Sequence, residues 1–157
     1  MAKGILKTKL DAGGLKFAMV VSRFNSELTQ QLADDAFQCL EENGAKTVHK
    51  FEVPGAYEIP VVINELAKSG KYDALIALGV VVEGETPHAQ MIGDSTGIAL
   101  LDIAREYGVP VINEIVGTRN WEQAVARCTR SRTSRGWYAA EAAIETAVIL
   151  KTIKGSK

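Results

Sequence analysis

Short, nearly continuous apolar runs alternate along this chain with longer segments whose apolar residues return every three or four positions. The first rhythm belongs to strands buried on both faces, the second to amphipathic helices. Residues 15–21 predict a first core strand. After the turn Ser22-Arg23-Phe24-Asn25, with Asn25 as N-cap, the positions Leu28, Leu32, Ala36, Phe37, Cys39 and Leu40 mark the inner face of a helix. Glu41-Glu42-Asn43-Gly44 ends it with glycine at the C′ position. Residues 47–53 alternate like a second strand, which Pro54-Gly55 breaks. Residues 56–69 predict a second helix with Ile59, Val62, Ile63 and Leu66 inward. The apolar run from Ala74 to Val82 is a third strand. A third helix over about 87–107 carries Met91, Ile92, Ile98, Leu101 and Ile103 and stops at Gly108. Residues 109–116 predict a fourth strand, 121–127 a short helix, 128–135 a basic connector and 136–153 a last helix. Residues 1–14 form an arm whose Ile5, Leu6 and Leu10 suit an edge strand or a contact with a neighbour.

Strands separated by helix-sized gaps imply parallel pairing with helices on both faces. The expected architecture is α/β, a flavodoxin-like doubly wound sandwich with a four-stranded parallel sheet and an N-terminal arm. The 157 residues form a single domain. In such a sheet the carboxyl ends of the strands share one edge, and that edge is where ligands sit. It would gather Arg23-Phe24-Asn25, Gly55-Ala56-Tyr57-Glu58, the segment from Glu83 to His88, and Gly117-Thr118-Arg119.

The segment Gly84-Glu85-Thr86-Pro87-His88 stands out on that edge. Thr86 reads as an N-cap and Pro87 as the first helical residue. His88 then lies in the first turn, where the helix dipole favours neutral imidazole, a form able to take a proton and return it. A capping or structural histidine would look the same locally. Gly84 lets backbone approach a ligand, and the amides of Glu85 and Thr86 suit a phosphate, with a cation required from elsewhere. An ordinary capped helix start fits these residues too. Arg127, Arg130, Arg132 and Arg135 form a basic stretch able to grip phosphate, or else a solvated connector. Glu58 offers a carboxylate for ligand hydroxyls, and Phe24 an exposed ring for a flat heterocycle. Asn113-Glu114 interrupts an apolar strand, so in a central strand each would need a partner or a contact. His49, on an alternating strand, reads as structural.

Composition narrows the field. Apolar residues make up 46% and charged residues 24%, and the formal net charge is −1. A balance of this kind gives no global field for nucleic acid or membrane, and no apolar run reaches the roughly 20 residues of a bilayer span. The start of the chain lacks the apolar segment of a secretory signal. Cys39 and Cys128 form no metal or redox motif and read as reduced thiols, so a cytoplasmic protein is expected.

Five blocks, taken together, resemble the lumazine synthase family: Ser22-Arg23-Phe24-Asn25, Val53-Pro54-Gly55-Ala56-Tyr57-Glu58-Ile59-Pro60, Gly84-Glu85-Thr86-Pro87-His88, Glu122-Gln123-Ala124 through Arg127, and Ala142-Ala143-Ile144-Glu145. The resemblance implies condensation of 5-amino-6-ribitylaminouracil with 3,4-dihydroxy-2-butanone 4-phosphate, with no metal or organic cofactor. The steps implied are imine formation, loss of phosphate, proton shuffling, and ring closure with loss of water. Phe24 would stack on the pyrimidine. Asn25, Ala56, Tyr57, Glu58, Val80, Val81, Val82, Asn113 and Arg135 would hold the uracil compound. Gly84, Glu85, Thr86 and Arg127 would take the phosphate, and His88 would move protons. The residues at Arg127 and Asn113 would come from an adjoining subunit. That implies a homo-oligomer, a pentamer or pentamer-based shell, with riboflavin synthase as a candidate partner. The chain departs from the family at Glu83, where a basic residue is usual. Asn113-Glu114 replaces an aromatic followed by glycine, and Arg135 replaces a lysine. The alternatives are a non-catalytic flavin or lumazine binder on the same scaffold, and an RNA-binding α/β domain using the basic connector.

Overall fold

The computed structural model describes residues 10–84, 86–129 and 131–155. Most of the predicted arm, Ile5 and Leu6 included, lies outside them, as do Glu85 and Arg130. The elements run β1 (Lys16–Ser22), α1 (Ser26–Glu42), β2 (Thr47–Val53), a 3₁₀ turn (Ala56–Glu58), α2 (Ile59–Ser69), β3 (Ala74–Val82) and α3 (His88–Tyr107). They continue with β4 (Val111–Thr118), α4 (Trp121–Cys128), a second 3₁₀ turn (Ser131–Thr133) and α5 (Arg135–Gly155). The four strands form one sheet in the order β2-β1-β3-β4, all parallel.

Side-chain alternation along the inner strands feeds two cores. Phe17, Met19 and Val21 of β1 and Ile76, Leu78 and Val80 of β3 face α1, α4 and α5. Ala18 and Val20 of β1 and Leu75 and Ala77 of β3 face α2 and α3. This two-sided demand explains why β3 is apolar throughout, and it gives the flavodoxin-like layering expected of the sequence. The outer strands bury less. On β2 the run from His49 to Glu52 is exposed, and His49 Nδ1 lies 2.6 Å from the Tyr72 hydroxyl in an edge-to-face contact, a structural role.

Several expectations shift. Phe37 is exposed, because the buried stripe of α1 runs instead through Leu32, Ala33, Ala36, Cys39 and Leu40. Along α3 the buried positions are Thr96, Leu100 and Ile103, whereas Met91, Ile98 and Leu101 are exposed. The second helix opens as a 3₁₀ turn rather than as one continuous helix from 56. Pro87, not Thr86, takes the N-cap position of α3, and no side chain caps it. Asn25 is the N-cap of α1 but makes no capping bond, since its backbone is left-handed (φ 62°, ψ 40°). β4 begins two residues later than the apolar pattern suggests.

Among the described glycines the closest packing is at Gly136, where α1 and α5 cross. A Cβ built there would fall 2.8 Å from Leu32 Cα and closer still to the Leu32 carbonyl oxygen. Backbone on both sides leaves nothing flexible to yield. Gly136→Ala is therefore expected to cost about 2–3 kcal/mol by overpacking, and to lower the thermal midpoint by about 5–10 °C. A calorimetric scan checks this, and an unchanged midpoint would mean that the two helices can separate freely.

Candidate active site

β1 stops at Ser22, with Val21↔Leu78 the last paired register, while β3 continues beside β4 to Val82. The chain leaves β1 toward β2 and leaves β3 toward β4, in opposite directions, so a crevice opens between the two carboxyl ends. Asn25 spans it: its Nδ2 donates to the Val80 carbonyl at 2.9 Å. Left-handed backbone is costly for most residues but tolerable for asparagine. The loop before it is tied to β2, with Arg23 N donating to Val53 O (2.8 Å) and Phe24 N to Pro54 O (3.1 Å). These ties leave the Phe24 ring 71% exposed, an arrangement that suits a ring waiting for a ligand face rather than for core.

The crevice is a cleft of about 590 Å³. Phe24, Ala56, Tyr57, Glu58, Val80, Val81, Val82 and His88 all line it, together with Pro54, Gly55, Met91 and Ile92. The 3₁₀ turn sets Glu58 with its carboxylate folded back over Gly55, where a Cβ would approach Oε1 to 3.1 Å. Glycine at 55 thus gives Glu58 its place. Val81 and Val82 end β3 half-buried. His88, the first residue of α3, is exposed and also borders a recess of about 440 Å³ with Thr86 and Asp94.

A second cleft, of about 500 Å³, lies between the start of α3 and the β4–α4 loop. Gln90, Gly93 and Asp94 form one wall and Thr118, Arg119, Gln123 and Arg127 the other, with Glu83 at its rim. The Glu83 amide donates to Thr118 O at 2.8 Å. α4 starts firmly: Asn120 Oδ1 accepts from Gln123 N (2.9 Å), and Gln123 Oε1 accepts from Arg119 N (2.9 Å).

The remaining candidates lie elsewhere in the single chain. β4 is the edge strand, so Asn113 is exposed, and its Oδ1 accepts from Ile115 N at 3.1 Å. Glu114 points to the other face and is buried. Its carboxylate takes Arg135 Nε at 2.5 Å and Nη2 at 3.2 Å, and the guanidinium lies 4.3 Å from the Tyr138 ring centroid. Burial pushes the Glu114 carboxyl up, against the pull of the arginine, while the same pairing pushes Arg135 up. Gly84 is exposed, and Glu85 lies outside the described residues.

The structure therefore brings Phe24, Ala56, Tyr57, Glu58, the three valines and His88 into one cleft, with Asn25 bracing its base. Arg127 belongs to a neighbouring cleft, and Asn113 and Arg135 to neither. Sequence reasoning named Met91 only as an apolar residue of the third helix, although its position three residues after His88 puts both on one helix face. It also passed over Gln90, Asp94 and Gln123. Among the described residues no group of three or more histidine, cysteine or acidic side chains is placed to hold a metal. Burial pushes the thiols of Cys39 and Cys128 up to about 12 and about 11, so neither is a thiolate nucleophile near neutral pH. No described helix is long and apolar enough to cross a membrane.

Fold and clefts define a class, a doubly wound α/β protein with small-molecule sites at the carboxyl edge of its sheet. Comparison with known proteins narrows it. The model of the 6,7-dimethyl-8-ribityllumazine synthase family matches residues 14–151. Three proteins named 6,7-dimethyl-8-ribityllumazine synthase are similar over nearly their whole length. That of Desulfosudis oleivorans is 37% identical over 151 residues (95% of this chain, 96% of the relative). That of Paraburkholderia phymatum is 41% identical over 162 residues (100% and 92%), and that of Chlorobaculum tepidum 38% over 150 residues (94% and 97%). The chain belongs to the 6,7-dimethyl-8-ribityllumazine synthase family.

The Glu114–Arg135 pair yields a pH test. Glu114 is 7% exposed at its side chain and Arg135 39%, so Arg135→Ala strands a buried carboxylate. The expected loss at pH 7 is about 2 kcal/mol, below the usual range for a buried pair because the guanidinium reaches water. The folded-state pKa of the stranded Glu114 rises further above its unfolded value. Stability is then present at low pH and lost as pH rises through that folded pKa, so the deficit shrinks on acidification toward pH 4. Urea denaturation at the two pH values measures it; a deficit that grows at low pH contradicts the assignment.

Proposed function

We propose that this protein condenses 5-amino-6-(D-ribitylamino)uracil with 3,4-dihydroxy-2-butanone 4-phosphate, giving 6,7-dimethyl-8-ribityllumazine, phosphate and water, a step of riboflavin biosynthesis. The observation that carries the proposal is the switch-point cleft, where an exposed ring, a carboxylate and an imidazole line one space of about 590 Å³. A planar, hydroxylated amine fits that chemistry. Phe24 stacks on the pyrimidine, Ala56, Tyr57 and Glu58 hold the ribityl chain, and the backbone at Val80, Val81 and Val82 meets the heterocycle. Asn25 keeps the floor of the cleft in place. The butanone phosphate lies toward the start of α3, its phosphate held at Gly84, Glu85 and Thr86.

His88, between the two substrates, takes a proton at one step and returns it at another. Imine formation, phosphate loss and ring closure all require such transfers, and none of them requires a metal or an organic cofactor. Holding both substrates together removes most of the bimolecular cost and supplies the larger part of the acceleration.

The working form is a homo-oligomer, a pentamer or a shell built of pentamers. Arg127, Asn113 and Arg135 lie outside the Phe24 cleft of their own chain, which supports their serving the cleft of an adjoining copy. The exposed Met91, Ile98 and Leu101 of α3 give such a copy an apolar face to cover. We place the enzyme in the cytoplasm and its product in the hands of riboflavin synthase, whether or not the two associate.

Mixing the protein with both substrates and following lumazine fluorescence tests the activity; a rate no faster than the spontaneous background overturns it. His88→Ala is expected to lower kcat by about 100-fold while leaving KM for the ribityl compound within about twofold. A variant that turns over at full speed removes His88 from proton transfer.

A further inference from the structure

We propose that Arg119 is a second phosphate-binding residue of this enzyme, acting together with Arg127 on the terminal phosphate of the butanone substrate. The assignment rests on the reaction proposed above and goes beyond it by naming a cation that no motif singles out. Gln123 and Arg127 lie one turn apart on α4, and Arg119 lies in the loop just before its N-cap, Asn120. All three line the 500 Å³ cleft between α3 and α4. The loop carrying Arg119 is tied to the helix, its backbone amide donating to the Gln123 side chain. Among the described residues neither Arg119 nor Arg127 makes an ion pair; the arginines that do are Arg105, Arg132 and Arg135. Two guanidinium groups that close no ion pair, one of them within electrostatic reach of Glu114, therefore share one cleft.

The charge balance of that cleft gives Arg119 its importance. Glu83 and Asp94 line it as well. Within one chain Arg127 alone leaves the space formally acidic, and Glu83 flanks Gly84 in whichever copy holds the phosphate, so a dianion there needs a further cation. Arg119 restores the balance at the rim, beside Glu83, whose own amide is fastened to Thr118. Two planar forks also hold a tetrahedral dianion in a fixed orientation, which a single arginine does less well. The loop of Arg119 is bonded to the helix that carries Arg127, so whichever copy's site receives Arg127 receives Arg119 with it.

Steady-state kinetics of the intact assembly, with inorganic phosphate as a competing anion, tests the assignment. Arg119→Ala is expected to raise KM for the butanone phosphate, and the inhibition constant of phosphate, by about tenfold each, as for loss of a charge-assisted hydrogen bond. KM for the ribityl compound and kcat should stay within about twofold. Arg119→Lys should recover part of the loss, and Glu83→Gln should tighten both constants by a few-fold. Phosphate affinity measured by calorimetry without turnover separates two failures. An inactive wild-type protein that still loses phosphate affinity on Arg119→Ala refutes the reaction but keeps the anion site. An active enzyme whose Arg119→Ala variant keeps both constants unchanged overturns the proposal. Should Arg119→Ala lower the melting temperature, Arg119→Gln carries the same expectations.

Discussion

A single hydrogen bond, from the Asn25 side chain to the Val80 carbonyl, spans the place where the sheet stops being a sheet. The β1–β3 pairing ends four residues before β3 does, so the carbonyls of β3 beyond Leu78 lose their ladder partners on that side. A buried carbonyl left without a donor is costly, and the available donor is a side chain at the start of α1. To deliver it, Asn25 adopts a left-handed backbone and gives up its capping bond. The neighbouring Phe24 is thereby held over the crevice, and the last residues of β3 become its floor. The cleft follows from unequal strand lengths bridged by one amide.

The second constraint is that α3 begins between two spaces of different chemistry. Its first residue, His88, borders the Phe24 cleft, while Gln90, Gly93 and Asp94 border the arginine-bearing one. One space offers an aromatic ring and apolar walls, the other fixed charges of both signs. The two spaces suit ligand groups of different chemistry, and His88 stands at the divide between them.

Much of this was legible in the sequence, for reasons that differ by element. β3 was readable because both of its faces are buried, which forces an unbroken apolar run. The Phe24, Glu58 and His88 positions were readable because parallel topology sends every carboxyl end to one edge. Less legible were residues whose partners are distant along the chain. Nothing near Asn113-Glu114 signals that β4 is an edge strand, so Asn113 faces outward while Glu114 finds Arg135 across the α5 face. The apolar residues of α3 mislead for a related reason: Met91, Ile98 and Leu101 repeat at helical spacing, yet the core takes Leu100 and Ile103. Periodicity reports that a face is apolar without saying what covers it. The N-cap of α3 was misplaced by one residue because Thr86 has the right chemistry, but Pro87 occupies the position.

Asn113 carries one more consequence. Its carboxamide oxygen occupies the Ile115 amide on the outer strand of the sheet. An edge whose amides are free invites another chain to continue the ladder, without limit and without choice of partner. Here the strand has answered its own donor with its own side chain. That donor is then closed to any backbone partner along this edge, and a neighbour meeting it finds a side chain in its place.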